Sequence, residues 1–162
     1  MIYFDTAYLA KCYLNEPGAD QVRALAAESP LIGCCQTGEV ELAAVFHRHL
    51  REGKITREEY ETIYQQFQSD REAGIWTWFP ANKELLADSA KVFQQLSHSV
   101  FVRAADAIHL TCARRNGLRE VFTNDRHMLL ACDAFGVTGR NILSENVESG
   151  PAKVRRQGKR RS

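Results

Sequence analysis

The sequence predicts an α/β domain built on a mostly parallel sheet. Short apolar runs of strand length recur along the chain, and amphipathic segments of helical period separate them. The third observation is size and composition: 162 residues, 44% hydrophobic and 25% charged, suit one globular domain with a real core.

Each element has its own local reason. Met1–Phe4 is a short apolar run that Asp5 ends, and Thr6–Leu14 follows with Leu9, Ala10, Tyr13 and Leu14 on one face. Asn15-Glu16-Pro17-Gly18 breaks that helix, and Ala19–Ala27 resumes the helical period through Val22, Leu25 and Ala26. Leu31–Cys35 is the second strand. Gly38–Glu52 is a long helix carrying Leu42, Val45, Phe46 and Leu50 on one face, with Gly53 as its stop. Thr56 and Glu59 form a capping-box pattern opening a helix to Arg71. After Ala73-Gly74 come a third strand, Ile75–Phe79, then helices Asn82–Leu96 and Ala104–Asn116. Val121–Thr123 is a strand, Asp125–Phe135 a last helix, and Val137–Leu143 a candidate edge strand. No internal repeat is present.

The net charge of +1 conceals an uneven distribution. Six basic residues and no acid lie from Lys153 onward, which leaves 15 basic against 20 acidic residues before it, a net of −5. Residues 1–147 therefore read as the folded domain and 148–162 as a disordered basic tail. That tail has three readings: a phosphate-binding arm, a solvated terminus, or a residue of cloning. Asp5 interrupts the first apolar run too early for a secretory signal, and no stretch approaches the ~20 apolar residues of a membrane span. The five cysteines (Cys12, Cys34, Cys35, Cys112, Cys132) form no CxxC pair and sit among apolar neighbours, as reduced thiols do. A reducing cytoplasm is the expected compartment.

Ligands of parallel α/β sheets bind beyond the carboxyl ends of the strands, so acids at those ends carry the functional reading. Asp5 follows the first strand and Asp125 the fourth; Glu39 and Glu41 open the helix after the second; Asp106 lies in the first turns of its helix. Singly, Asp5 and Asp125 are ordinary N-caps, and Glu41 is an ordinary first-turn acid. Asp106 fits such a reading poorly, because apolar residues surround it and an unpaired buried carboxylate is costly. Together the acids converge on one sheet edge, where repelling carboxylates call for a hard cation such as Mg²⁺ or Mn²⁺. Glu39 and Glu41 stand about 200° apart on a helix, so only one can face that edge, and periodicity leaves the choice open.

In order and spacing, Met1-Ile-Tyr-Phe-Asp-Thr6, Glu41-Leu-Ala-Ala-Val-Phe46, Ala105-Asp-Ala-Ile-His-Leu110 and Thr123-Asn-Asp125 resemble the PIN domain family. Within it the chain looks like the VapC-type ribonuclease toxins, over residues 1 to about 143. The resemblance implies a three-layer α/β/α sandwich and a Mg²⁺- or Mn²⁺-dependent endoribonuclease. It matches Asp5, Glu41, Asp106 and Asp125 to the family's metal-binding catalytic acids. It further implies an RNA substrate such as tRNA, homodimerisation and inhibition by a small antitoxin.

Thr6, Thr123 and Asn124 adjoin the acids as candidate substrate-binding groups, each with a plainer role in caps and turns. His109, three residues after Asp106, reads as a core-edge histidine satisfied by a backbone carbonyl, and His47 and His49 lack zinc-pair spacing. Trp76, Trp78 and Phe79 read as sheet-face residues before bases are invoked as their partners. No GxSxG or Walker-type glycine loop occurs. An aspartyl phosphatase needs Asp-x-Asp after the first strand, and Ala7 stands in the third position. That counts against the aspartyl phosphatase, and the alternatives kept are another Mg²⁺-dependent phosphohydrolase and a non-cleaving RNA- or partner-binding scaffold.

Overall fold

In the computed structural model, which describes residues 1–143, five parallel strands form one sheet. They are β1 (Ile2–Phe4), β2 (Ile32–Cys35), β3 (Thr77–Phe79), β4 (Glu120–Phe122) and β5 (Thr138–Arg140), in spatial order β3-β2-β1-β4-β5. Every pairing is parallel: Tyr3 sits opposite both Gly33 and Val121, Cys34 opposite Trp78, and Val121 opposite Gly139. The helices are α1 (Thr6–Tyr13), α2 (Ala19–Glu28), α3 (Thr37–Arg51), α4 (Arg57–Glu72), α5 (Lys83–Gln95), α6 (Ala104–Arg115) and α7 (Arg126–Ala131).

Alternation along the strands splits the interior into two cores. Tyr3, Cys35 and Val121 point to one face and pack with Leu85, Leu110 and Met128 from α5, α6 and α7. Phe4, Cys34 and Phe122 point to the other and pack with Tyr8, Val22, Leu42 and Phe67 from α1 to α4. Helices thus cover both faces, which gives the expected three layers. Tyr13 makes edge contacts with Phe46, Phe67 and Trp76, while Trp78 and Phe79 pack in opposite cores, so the aromatic strand is core.

Caps set the helix starts. Asp5 caps α1, Asn82 caps α5, and Thr56 with Glu59 completes the capping box of α4. Two expected elements differ. The third strand begins at Thr77, because Trp76 turns its indole N–H to Tyr13 Oη at 2.7 Å and Ile75 is exposed. The last helix ends at Ala131 and tightens into a 3₁₀ turn, Cys132–Phe135, which Gly136 closes at φ 71°. Among the described residues no helix is long and apolar enough to cross a membrane, and all five cysteines are free thiols. The basic tail lies outside the described residues.

Candidate functional site

The strand order reverses beside β1: β2 and β3 lie to one side, β4 and β5 to the other. A crevice at the carboxyl ends of β1 and β4 follows from that reversal. A cavity of about 280 Å³ lies there, and Asp5, Glu41, Asp106 and Asp125 all line it, with Thr6, Arg48 and His109. Glu39 is not in its wall; it pairs with Arg71 Nε on α4 at 3.0 Å. A larger groove of about 970 Å³ runs beside it, lined by Glu16, His49 and the start of α4, and holds none of the four acids.

Asp5 is buried at the end of β1, where its Oδ1 accepts the Tyr8 N–H at 2.8 Å. Burial pushes its carboxyl up to about 6, against the hydrogen bonds from Thr123 and the Tyr8 backbone. The Thr123 hydroxyl oxygen also accepts the Asp125 N–H at 3.0 Å, so this fully buried threonine links two acids. Its position is structural support beneath the cleft. Asn124 is exposed and lines a neighbouring groove with Lys11 and Gln21.

Glu41 is held by side chains from two other elements. Thr6 Oγ1, at the start of α1, donates to Oε2, and His109 Nε2 on α6 lies 3.0 Å from the same oxygen. Burial would raise the Glu41 carboxyl, but the hydrogen bond and charge of His109 outweigh it and hold it below its ordinary value. Burial likewise disfavours the His109 cation, and Glu41 overrides it to raise the imidazole.

Asp106 and Asp125 share Arg103. Its Nη1 is 2.9 Å from Asp125 Oδ2 and 4.0 Å from Asp106 Oδ2. Asp125 caps α7, accepting the His127 and Met128 N–H groups at 2.7 and 3.1 Å. Burial pulls its carboxyl upward, and those backbone bonds with Arg103 hold it below the ordinary value. Asp106 is raised, by burial first and by the Asp125 charge second. Its Oδ2 is buried with no hydrogen-bond partner among the described residues.

Sequence reasoning misjudged His109. It bonds Glu41 and Tyr3 side chains in place of a backbone carbonyl. Arg103 and Arg48 were also missed; Arg103 had a visible signal, standing three residues before Asp106 on the same helix face.

Among the described residues no three His, Cys, Asp or Glu side chains stand as a group ready to hold a metal ion. Asp5, Glu41 and Asp125 each accept hydrogen bonds from protein donors. A hydrated Mg²⁺ needs only one or two carboxylates and keeps several waters. The donor set is all oxygen, and the orphaned Asp106 Oδ2 asks for a partner, so the residues fit such an ion.

The family model for the PIN domain matches residues 2–133. The chain belongs to the PIN domain family. Solved structures agree on the fold of this PIN domain. FitAcB from Neisseria gonorrhoeae superposes with a TM-score of 0.70 at 18% identity, covering 87% of this chain and 97% of that one. The sarcin-ricin loop cleaving toxin VapC20 from Mycobacterium tuberculosis gives 0.63 at 12% identity over 79% and 92%. VapBC2 from Rickettsia felis, bound to a DNA fragment of its promoter, gives 0.59 at 14% over 87% and 98%. No curated protein matches the chain in sequence.

Proposed function

We propose that this PIN domain is a Mg²⁺- or Mn²⁺-dependent endoribonuclease and the toxin of a toxin–antitoxin pair. One observation carries the reading: four carboxylates from four separate segments line one crevice at the sheet's switch point, and one of their oxygens is buried without a hydrogen-bond partner among the described residues. Capping explains Asp5 and Asp125 singly, but not the convergence of all four acids. A toxin–antitoxin complex from Klebsiella pneumoniae with the same fold supports a small protein inhibitor, and the sarcin-ricin loop cleaving toxin VapC20 supports RNA as substrate class. Homodimerisation and a cytoplasmic location belong to the same reading.

Asp106, Asp5, Glu41 and Asp125 would hold the cation, directly or through water. When bound, a divalent cation makes water acidic enough to attack phosphorus and neutralises charge on the leaving 3′ oxygen. The chain's own groups prepare the crevice for that chemistry. Arg103 offsets the Asp125 charge, so the acids coexist at neutral pH. Thr123 and the α1 N-terminus hold Asp5 in place. Arg48 in the cavity wall offers a cation to an approaching phosphate.

The test is cleavage of structured and single-stranded RNA after EDTA treatment and after Mn²⁺ is restored, for the wild type and Asp106→Asn. Cleavage that follows the metal and vanishes in the variant supports the reading. RNA binding without cleavage would leave a scaffold, and hydrolysis of small phosphoesters alone would leave another phosphohydrolase.

A further inference from the structure

Beneath the cleft a chain of hydrogen bonds runs from the sheet to Glu41. The Cys35 N–H donates to Tyr3 Oη at 3.0 Å, and Tyr3 Oη lies 2.7 Å from His109 Nδ1. His109 Nε2 then meets Glu41 Oε2 at 3.0 Å. Tyr3 and His109 are buried, at 0% and 3% exposure, so solvent does not compete for these bonds. Each link constrains the next. With Tyr3 Oη donating to Nδ1, a neutral imidazole carries its proton on Nε2, and the imidazolium carries one on both nitrogens, so either form sets a donor against Glu41 Oε2. Burial holds the Tyr3 phenol well above its usual range, so its proton stays on oxygen.

The outcome falls on one oxygen of Glu41. Thr6 Oγ1 and His109 Nε2 both address Oε2, and neither bond uses Oε1. We infer that Tyr3 and His109 are positioning residues, which occupy Oε2 with a buried donor and present Oε1 alone to a cation in the cleft. This rests on the metal-site reading above and adds what that reading does not contain: the buried groups that hold Glu41 by one oxygen. Partners behind a ligand of this kind set its orientation, and their loss typically costs 10–100-fold in metal affinity.

The experiment measures Mn²⁺ binding by calorimetry and by the electron paramagnetic resonance of free Mn²⁺. It compares the full-length wild type with Tyr3→Phe, His109→Leu and His109→Gln. The glutamine amide can replace the Nε2–H donor, so His109→Gln should bind within a fewfold of wild type, whereas His109→Leu should lose roughly tenfold or more. Tyr3→Phe keeps the ring and should weaken binding in the same direction. Equal affinities for the leucine variant and wild type would overturn the inference and leave the metal reading standing. No Mn²⁺ binding by wild type would overturn the metal reading itself. A second readout needs no variant: ¹⁵N NMR of the wild-type imidazole at alkaline pH should show the proton on Nε2. A proton on Nδ1 would overturn the inference, because Nε2 would then face Glu41 with a lone pair.

Discussion

Asp5 caps α1 and also faces the acidic cleft, and the two duties respond differently to substitution. Asparagine caps a helix as well as aspartate does, so Asp5→Asn keeps the bond to Tyr8 N–H and removes only the charge; alanine loses the cap and about 1 kcal/mol. Both variants should lose metal-dependent cleavage, and only Asp5→Ala should lower the melting temperature measured without metal. The same residue sets a pH dependence. Its carboxyl rises from 3.8 to about 6 on folding, so between those values the native state binds more protons than the unfolded chain. Stability must therefore fall as pH rises through that window, by about 3 kcal/mol for a shift of this size. Urea denaturation of EDTA-treated protein from pH 4 to 6.5 checks this, and Asp5→Asn should flatten the curve. The lowered carboxyls of Glu41 and Asp125 act in the opposite sense, and their contribution is lost only as pH falls below the ordinary carboxylate range.

β2 and α4 show how an element can matter to stability without touching chemistry. Gly33 lies in β2 between Tyr3 and Thr77, where an added Cβ would come within 2.6 Å of both Leu118 Cδ1 and Phe79 Cε2. Gly33→Ala should therefore overpack the sheet and cost about 1–3 kcal/mol, read as a lower urea midpoint. Thr56→Ala removes the side-chain half of the capping box that starts α4 and should cost about 1 kcal/mol. Thr56 lines the larger groove and not the acidic cavity, so this variant's metal affinity should match wild type.

At the scale of the whole molecule, crowded carboxylates leave the metal-free domain below its attainable stability. A cation that binds only the folded chain adds RT ln(1 + [L]/Kd), about 2.7 kcal/mol at a hundredfold excess over Kd. Thermal unfolding at rising Mn²⁺ should show a climbing midpoint, and an unmoved midpoint up to tens of millimolar would count against the site. The distribution of charge predicts a second global effect. Truncation after Pro151 removes six basic residues from a body of net −5. If all six meet phosphate, the salt slope of single-strand RNA affinity should fall by about 4, with the cleavage position unchanged. Equal affinities at low salt would mark the tail as a passive terminus.

What the sequence by itself determined was everything governed by near neighbours along the chain. Strand and helix order and the Thr56–Glu59 box rest on groups a few residues apart, so composition and period reveal them. The acids at strand ends were legible too, because parallel topology sends every strand's carboxyl end to one edge. Periodicity could not choose between Glu39 and Glu41; the family resemblance favoured Glu41, and the tertiary structure gives the physical reason, with Arg71 drawing Glu39 away and Thr6 and His109 holding Glu41. It alone gave His109 its partners: Tyr3 is 106 positions away and Glu41 is 68. Local pattern cannot register a hydrogen bond across such a span, because the groups meet only once two layers have packed on the sheet. The apolar residues beside Asp106 in sequence already pointed to its burial, but only the assembled fold left its Oδ2 without a hydrogen-bond partner among the described residues.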